Sequence, residues 1–256
     1  MITIPPLRNN RMTVELKELT IGQSIELAEM ATHLLEASTT KMLRFAIKSV
    51  KGVDEDPINW TAQERMLAVS HYIACTSDEI DFAIGNGNYS DYIDYELTVS
   101  PALKQVEIGE LGGDKWAIQH LTGAMIEAIE FLQDDTGLDA YVHFLIGTMA
   151  AQLVIVGEKT PEFKLEQDRY DWLLKRIETF KNYPESDFES LIVAYQIHKS
   201  KLDHFFRIGV DAQGLIALPS EKEGGKLGLP PTRFPVATCL SRTARDMARK
   251  PERISR

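Results

Sequence analysis

Two cysteines in 256 residues, Cys75 and Cys239, are too few for a disulfide framework, and neither stands in a C-x-x-C pair. Both are expected as free thiols. The six histidines are not spaced as metal ligands: His198 and His204 lie six apart, His120 and His143 fall on different predicted elements, and H-E-x-x-H is missing. With the required ligand spacing absent, no metal site is expected. The acids Glu79, Asp81, Asp91 and Asp94 do not follow the calcium-loop pattern either. Glycine-rich phosphate loops are wanting as well, since GNGNYS lacks a third glycine with a following helix and EGGKLG lacks the first glycine at its proper distance. No cofactor is expected.

Long apolar runs are also lacking. The longest, residues 140–156, is interrupted by His143, Gly147 and Gln152, which predicts a buried helix rather than a membrane span. The opening MITIPPLRNN has no basic segment leading into an apolar one, so a secretory signal is not expected and synthesis in the cytoplasm is.

Charge is present in quantity and unevenly placed. The formal net charge is −10, yet residues 226–256 carry eight Lys or Arg against two acids, +6, which leaves −16 for residues 1–225. An acidic body repels phosphates over most of its surface and so disfavours nucleic acid as a partner. A basic tail suits an acidic protein surface.

Along the chain, TIPPL reads as extended because of its two prolines, and residues 12–19 alternate as a half-buried strand does. Helices are predicted over 22–35 and 41–50. Thr61 with Glu64 forms an S/T-x-x-E capping box that starts a helix over 62–74, with Trp60 packing ahead of it. Residues 76–100, rich in Tyr, Asn, Gly and acids, read as a hairpin or irregular lobe. Strands over 102–110 and 114–121 flank Gly112 and Gly113, a hairpin turn by composition, and helices over 123–133 and 138–156 follow. Thr160 and Pro161 predict a helix start, with Tyr170, Leu173, Leu174, Ile177 and Phe180 on one stripe, and after Pro184 a long helix to residue 208 closes an antiparallel hairpin. Beyond residue 209 the turn formers leave no recognisable core. The expected fold is α+β and predominantly helical: an α+β domain over 1–156 with a small antiparallel β layer, a helical hairpin over 157–210, and an extended, basic, partner-binding tail over 211–256.

One phrase occurs twice. Leu19, Thr20, Gly22, Ile25, Glu26, Ala28 and Glu29 match Leu121, Thr122, Gly123, Ile126, Glu127, Ile129 and Glu130 with a one-residue gap. This predicts the same strand-to-helix corner used twice, each threonine capping its helix and each isoleucine returning to one apolar layer. The pairs Glu26/Glu29 and Glu127/Glu130, three apart, share a helix face and are read as solvated candidate interfaces.

The stretches ELKELTIGQSIELAEM, NWTAQERMLAVSHYIA, NYSDYID and IQHLTGAMIEAIEFL, over about residues 12–155, resemble tail and baseplate-assembly proteins of tailed bacteriophages. The resemblance carries no catalytic motif. It implies a minor component of a tail or baseplate, or a chaperone of tail assembly, with other tail or baseplate proteins or a second copy as partners, no membrane, and a place in the virion tail or host cytoplasm. In the tail, Leu227, Leu229, Phe234, Val236 and Leu240 read as extended apolar anchors that order on a partner, and Arg242, Arg245 and Arg249 as a basic stripe of one helix. Two other classes remain. One is an enzyme built on Asp81, Tyr89 and His120, which requires a concave pocket with converging polar groups. The other is a nucleic-acid module using Arg242, Arg245, Arg249, Lys250, Arg253 and Arg256.

Overall fold

The computed structural model describes residues 2–77, 81–94, 104–158, 161, 163, 165–220 and 228–248. The fold is α+β, with eight α-helices and small antiparallel sheets among the described residues. Strands β1 (Leu7–Arg8), β2 (Thr13–Leu16) and β3 (Ile47–Lys51) form one sheet in that order, and the β2 alternation buries Val14 and Leu16. Helices α1 (Ile21–Ala28), α2 (Leu35–Ala46) and α3 (Ala62–Thr76) accompany it.

Both predicted boundaries here shift. The first helix stops at residue 28 and the second begins at Leu35, giving way to β3 where residues 47–50 were expected to be helical. The start of α2 is held by a cap from far away: the Glu130 carboxylate accepts the Glu36 and Ala37 backbone N–H groups at 2.8 and 3.1 Å. An acid at a helix N-terminus satisfies orphan donors and complements the dipole. Nothing near Leu34 announces that start.

After the short hairpin of β4 (Ala83–Ile84) and β5 (Gly87–Asn88), a second sheet is built from β6 (Gln105–Leu111), β7 (Asp114–Gln119) and β8 (Leu153–Ile155). Gly112 and Gly113, at φ +63° and +89°, make the tight β6–β7 turn that the composition predicts. Helices α4 (Gly123–Phe131), α5 (Ala140–Gln152), α6 (Glu166–Lys181) and α7 (Glu185–Lys199) pack on this sheet. The buried helix expected over 138–156 is α5, which gives way to β8 at Leu153. The predicted cap at Thr160 lies outside the described residues.

Residues 157–210 do not stand apart as a hairpin. Leu173, Ile177 and Phe180 of α6 and Leu191 and Tyr195 of α7 share one core with Ile118, Ile126, Phe144 and Leu153. Nor does the last helix reach residue 208. It ends at Lys199, and the chain turns so that Phe205, at φ +66°, and Phe206 bury fully in the other core, beside Met42, Leu43, Trp60 and Tyr72. The chain continues as β9 (Arg207–Asp211) and β10 (Gly214–Leu218), an antiparallel hairpin whose Leu215 faces one core and Ala217 the other. This hairpin joins the halves.

Candidate docking surface

The expected free tail is corrected wherever it is described. Phe234, Val236 and Leu240 are buried in the N-terminal core, and the Phe234 ring packs edge-on to Phe82 and Tyr89. A segment without periodicity gives no sign of this, because its burial is set by long-range contacts. Leu229 is half-buried, with its methyl groups where a Cβ on Gly87 would lie 3.0 Å away, and Thr232 bridges to Ala217 of β10 in both directions, at 2.8 and 2.9 Å. Leu227 and Arg249 lie outside the described residues. Helix α8 (Arg242–Ala248) begins where Ser241 Oγ accepts the Ala244 N–H at 3.1 Å, and it seats the fully buried Ala244 against α1.

Two open grooves, the first largely apolar and the second of mixed character, flank this α1–α8 corner. One, of about 320 Å³, runs between Leu27, Met30 and Leu34 on one side and Val236, Leu240 and Arg245 on the other. The second, of about 600 Å³, includes Ile2, Ile21, Tyr72, Phe82 and Leu240. Leu240 is common to both. Ile21 is 51% exposed and Met247 63% exposed, while the Arg242 side chain is 91% exposed and makes only a loose 3.6 Å contact with Asp246. Arg245 is exposed too, and it lines the first groove. Glu26 and Glu29 project from α1 into solvent, as expected, and Glu26 meets Lys41 at 3.3 Å. No signal in the sequence marks Ile21 as exposed, since its i,i+3 spacing from Ser24 predicts the buried face.

Glu127 and Glu130 behave oppositely to their counterparts. They face inward, into a network around Arg65, which is only 1% exposed. Arg65 Nη1 donates to Glu127 Oε1 at 3.3 Å, and Nη2 donates to the Glu36 carbonyl oxygen at 2.7 Å and sits 3.2 Å from Glu36 Oε2. The Thr40 hydroxyl donates to Glu127. Burial pushes the Glu130 carboxyl up to about 7, against the lowering effect of its two backbone donors. These acids are interior supports, and reading them as an interface is corrected by their burial.

The enzyme constellation is not assembled. Asp81 accepts the Ser90 N–H and hydroxyl, both at 2.8 Å, Tyr89 stacks on Phe82 at 5.0 Å, and His120 lies elsewhere, against His204 at 4.9 Å. His120 does line a small cleft of about 30 Å³ with Gln63, Gln152, Tyr195, Lys199 and Asp203. Burial pushes Asp203 up to about 7, while the Tyr195 hydroxyl donates to Gln152 Oε1 at 2.7 Å. His204 accepts at Nε2 from the Thr61 hydroxyl at 2.8 Å and donates at Nδ1 to the Leu202 carbonyl oxygen at 2.9 Å. Burial pulls its imidazole down to about 3, so it is neutral. Among the described residues no group of three or more His, Cys, Asp or Glu is placed to hold a metal ion, and no helix is long and apolar enough to cross a membrane.

Set against known protein families, curated proteins and solved structures, the chain matches none.

Proposed function

We propose that this protein is a tail or baseplate protein of a tailed bacteriophage, a minor structural component or assembly factor, that works by binding other tail proteins through the α1–α8 corner. The observation that carries the reading is the pair of grooves meeting at Leu240, the first largely apolar and edged by Arg245, the second including exposed Ile21, on a corner whose α8 also exposes Met247 and Arg242. Contiguous exposed apolar surface rimmed by charge marks interaction sites. Its occupant is an acidic segment with an apolar face: the arginines steer it and the grooves take its side chains. This extends the phage-tail resemblance of residues 12–155, and it places binding on a folded corner instead of a free tail.

The test is fractionation of infected-cell lysates with the wild-type chain and with the variant Ile21→Asp/Met247→Asp/Arg242→Glu/Arg245→Glu, whose positions are all exposed. Wild-type protein is expected to co-sediment with tail or baseplate intermediates and the variant to be lost from them at unchanged circular dichroism. Equal incorporation of both would end the proposal. Recovery with nucleic acid, falling steeply as salt rises, would replace it with the nucleic-acid reading.

A further inference from the structure

Helix α7 carries apolar residues on two faces. Leu191 and Tyr195 are buried and Ile192 and Ala194 pack against the same core, which seats the helix on the second sheet. Val193 and Ile197 lie off that face, 49% and 62% exposed. One such residue is ordinary on a protein surface, but two of them a helical turn apart make a stripe. The same i,i+4 row continues toward the N-terminus through Glu189 and Glu185, both exposed, with exposed Asp187 beside them. The row Glu185, Glu189, Val193 and Ile197 is therefore acidic in its first half and apolar in its second. At ~1.5 Å of rise per residue it spans roughly 18 Å.

The α1–α8 corner is the complement of that row. Leu27, Met30, Leu34, Val236 and Leu240 line its first groove, exposed Arg245 stands at the groove, and exposed Arg242 lies one turn earlier on α8. Beyond α8 the sequence adds Arg249, Lys250, Arg253 and Arg256 against Glu252. A chain does not fill its own groove with this row, since Val193 and Ile197 stay exposed: α7 packs on the core of the second sheet, while α8 packs on α1, whose Leu27 belongs to the other core.

We propose that the occupant of the corner is α7 of a second copy of this chain, so that the protein assembles head to tail. Val193 and Ile197 enter the first groove, and Glu185 and Glu189 face Arg242 and Arg245. This rests on the docking reading of that corner and names its partner. A helix laid in an apolar groove is anchored by residues one turn apart, and opposite charges at the rim fix its direction. Because α7 and the groove are different surfaces, each added copy leaves one of each unfilled, and the contact repeats into a ring or a filament. The acidic body and basic end of the sequence attract one another between copies in this arrangement.

Sedimentation velocity of the purified chain is expected to show association that weakens as salt rises. Val193→Asp/Ile197→Asp and Arg242→Glu/Arg245→Glu, all at exposed positions, should each weaken it by about tenfold or more. An equimolar mixture of these two variants, one with an intact groove and the other with an intact α7, should form a dimer and nothing larger, which misfolded chains would not do. A wild-type chain that stays monomeric across the accessible concentrations at low salt overturns the proposal, as does association unchanged by Val193→Asp/Ile197→Asp or a mixture that stays monomeric. If the wild-type chain then still co-sediments with tail intermediates, only the self-docking has failed and the docking reading of the corner stands.

Discussion

A Cβ built on Gly123 would lie inside the Arg65 guanidinium and 2.8 Å from the Ile58 carbonyl oxygen, whereas one built on Gly22 meets nothing within 4 Å. The two glycines occupy the same place in the repeated phrase for unrelated reasons. Gly22 sits in an exposed first turn with open space around it; Gly123 makes room for a buried cation. Gly22→Ala is therefore expected to stabilise the protein by up to about 1 kcal/mol, the helix-propensity difference. Gly123→Ala should cost on the order of 3–5 kcal/mol, because it displaces Arg65 from Glu36 and Glu127 and leaves buried charges unpaired. Urea unfolding of the two variants measures both, and similar midpoints would refute the distinction. Arg65 itself was not legible in the sequence. An arginine on an amphipathic helix reads as solvated, and only the fold shows that α2 and α4 close over it.

At the scale of elements, local devices were readable and remote ones were not. The box of Thr61 and Glu64 forms as its spacing predicts, with the Glu64 N–H donating to Thr61 Oγ1 at 3.2 Å and the Thr61 N–H donating to Glu64 Oε2 at 2.9 Å. The Gly112–Gly113 turn needs only its own backbone. By contrast, the start of α2 depends on Glu130, ninety-four positions from Glu36, and Ala217 of β10 pairs with Thr232, in a segment whose apolar residues have no period. The candidate site was half legible for the same reason: Arg242 and Arg245 are exposed as read, while three of the five apolar anchors proved to be core. The repeated corner shows the same divide. Thr20 and Thr122 share extended cap dihedrals, yet only Thr20 Oγ1 accepts from its helix, at 3.3 Å from Gln23 N, with Gln23 Oε1 accepting the Thr20 N–H in return. Thr122 is instead held by backbone pairing with Thr61: the Ala62 N–H donates to the Leu121 carbonyl oxygen at 2.8 Å and the Gly123 N–H to that of Trp60 at 2.9 Å. A lost threonine cap ordinarily costs about 1 kcal/mol. The geometry divides them: Thr20→Ala should cost about 1 kcal/mol, and Thr122→Ala less than about 0.5 kcal/mol. Thermal unfolding of both variants checks this, and a Thr122 cost as large as that of Thr20 would contradict it.

Across the whole molecule, two cores meet along α3, β9 and β10, and the ionisable groups at that joint link its stability to pH. Asp203 faces Gln63 of α3 at 3.4 Å, with Lys199 and Arg207 lowering its pKa less than burial raises it. Its folded value of about 7 stands above the ordinary 3.8, so the folded state holds a proton that the unfolded state releases. The contribution is fully present below pH 3.8 and is lost as pH rises through about 7. His204 acts in the opposite sense: its value is pulled from 6.5 to about 3, so its contribution is present above pH 6.5 and lost as pH falls toward 3. Glu130, raised to about 7, follows Asp203 in sign. Asp203→Asn removes one of these slopes and keeps an acceptor for the Gln63 amide. Relative to wild type, the variant should gain stability steadily between pH 4 and pH 7, up to about 4 kcal/mol at ~1.36 kcal/mol per unit before screening by solvent reduces it. Urea unfolding at fixed ionic strength across that range measures the difference. A constant offset between the two proteins from pH 4 to pH 8 would mean that Asp203 is ionised in the fold and that the joint is not proton-linked through it.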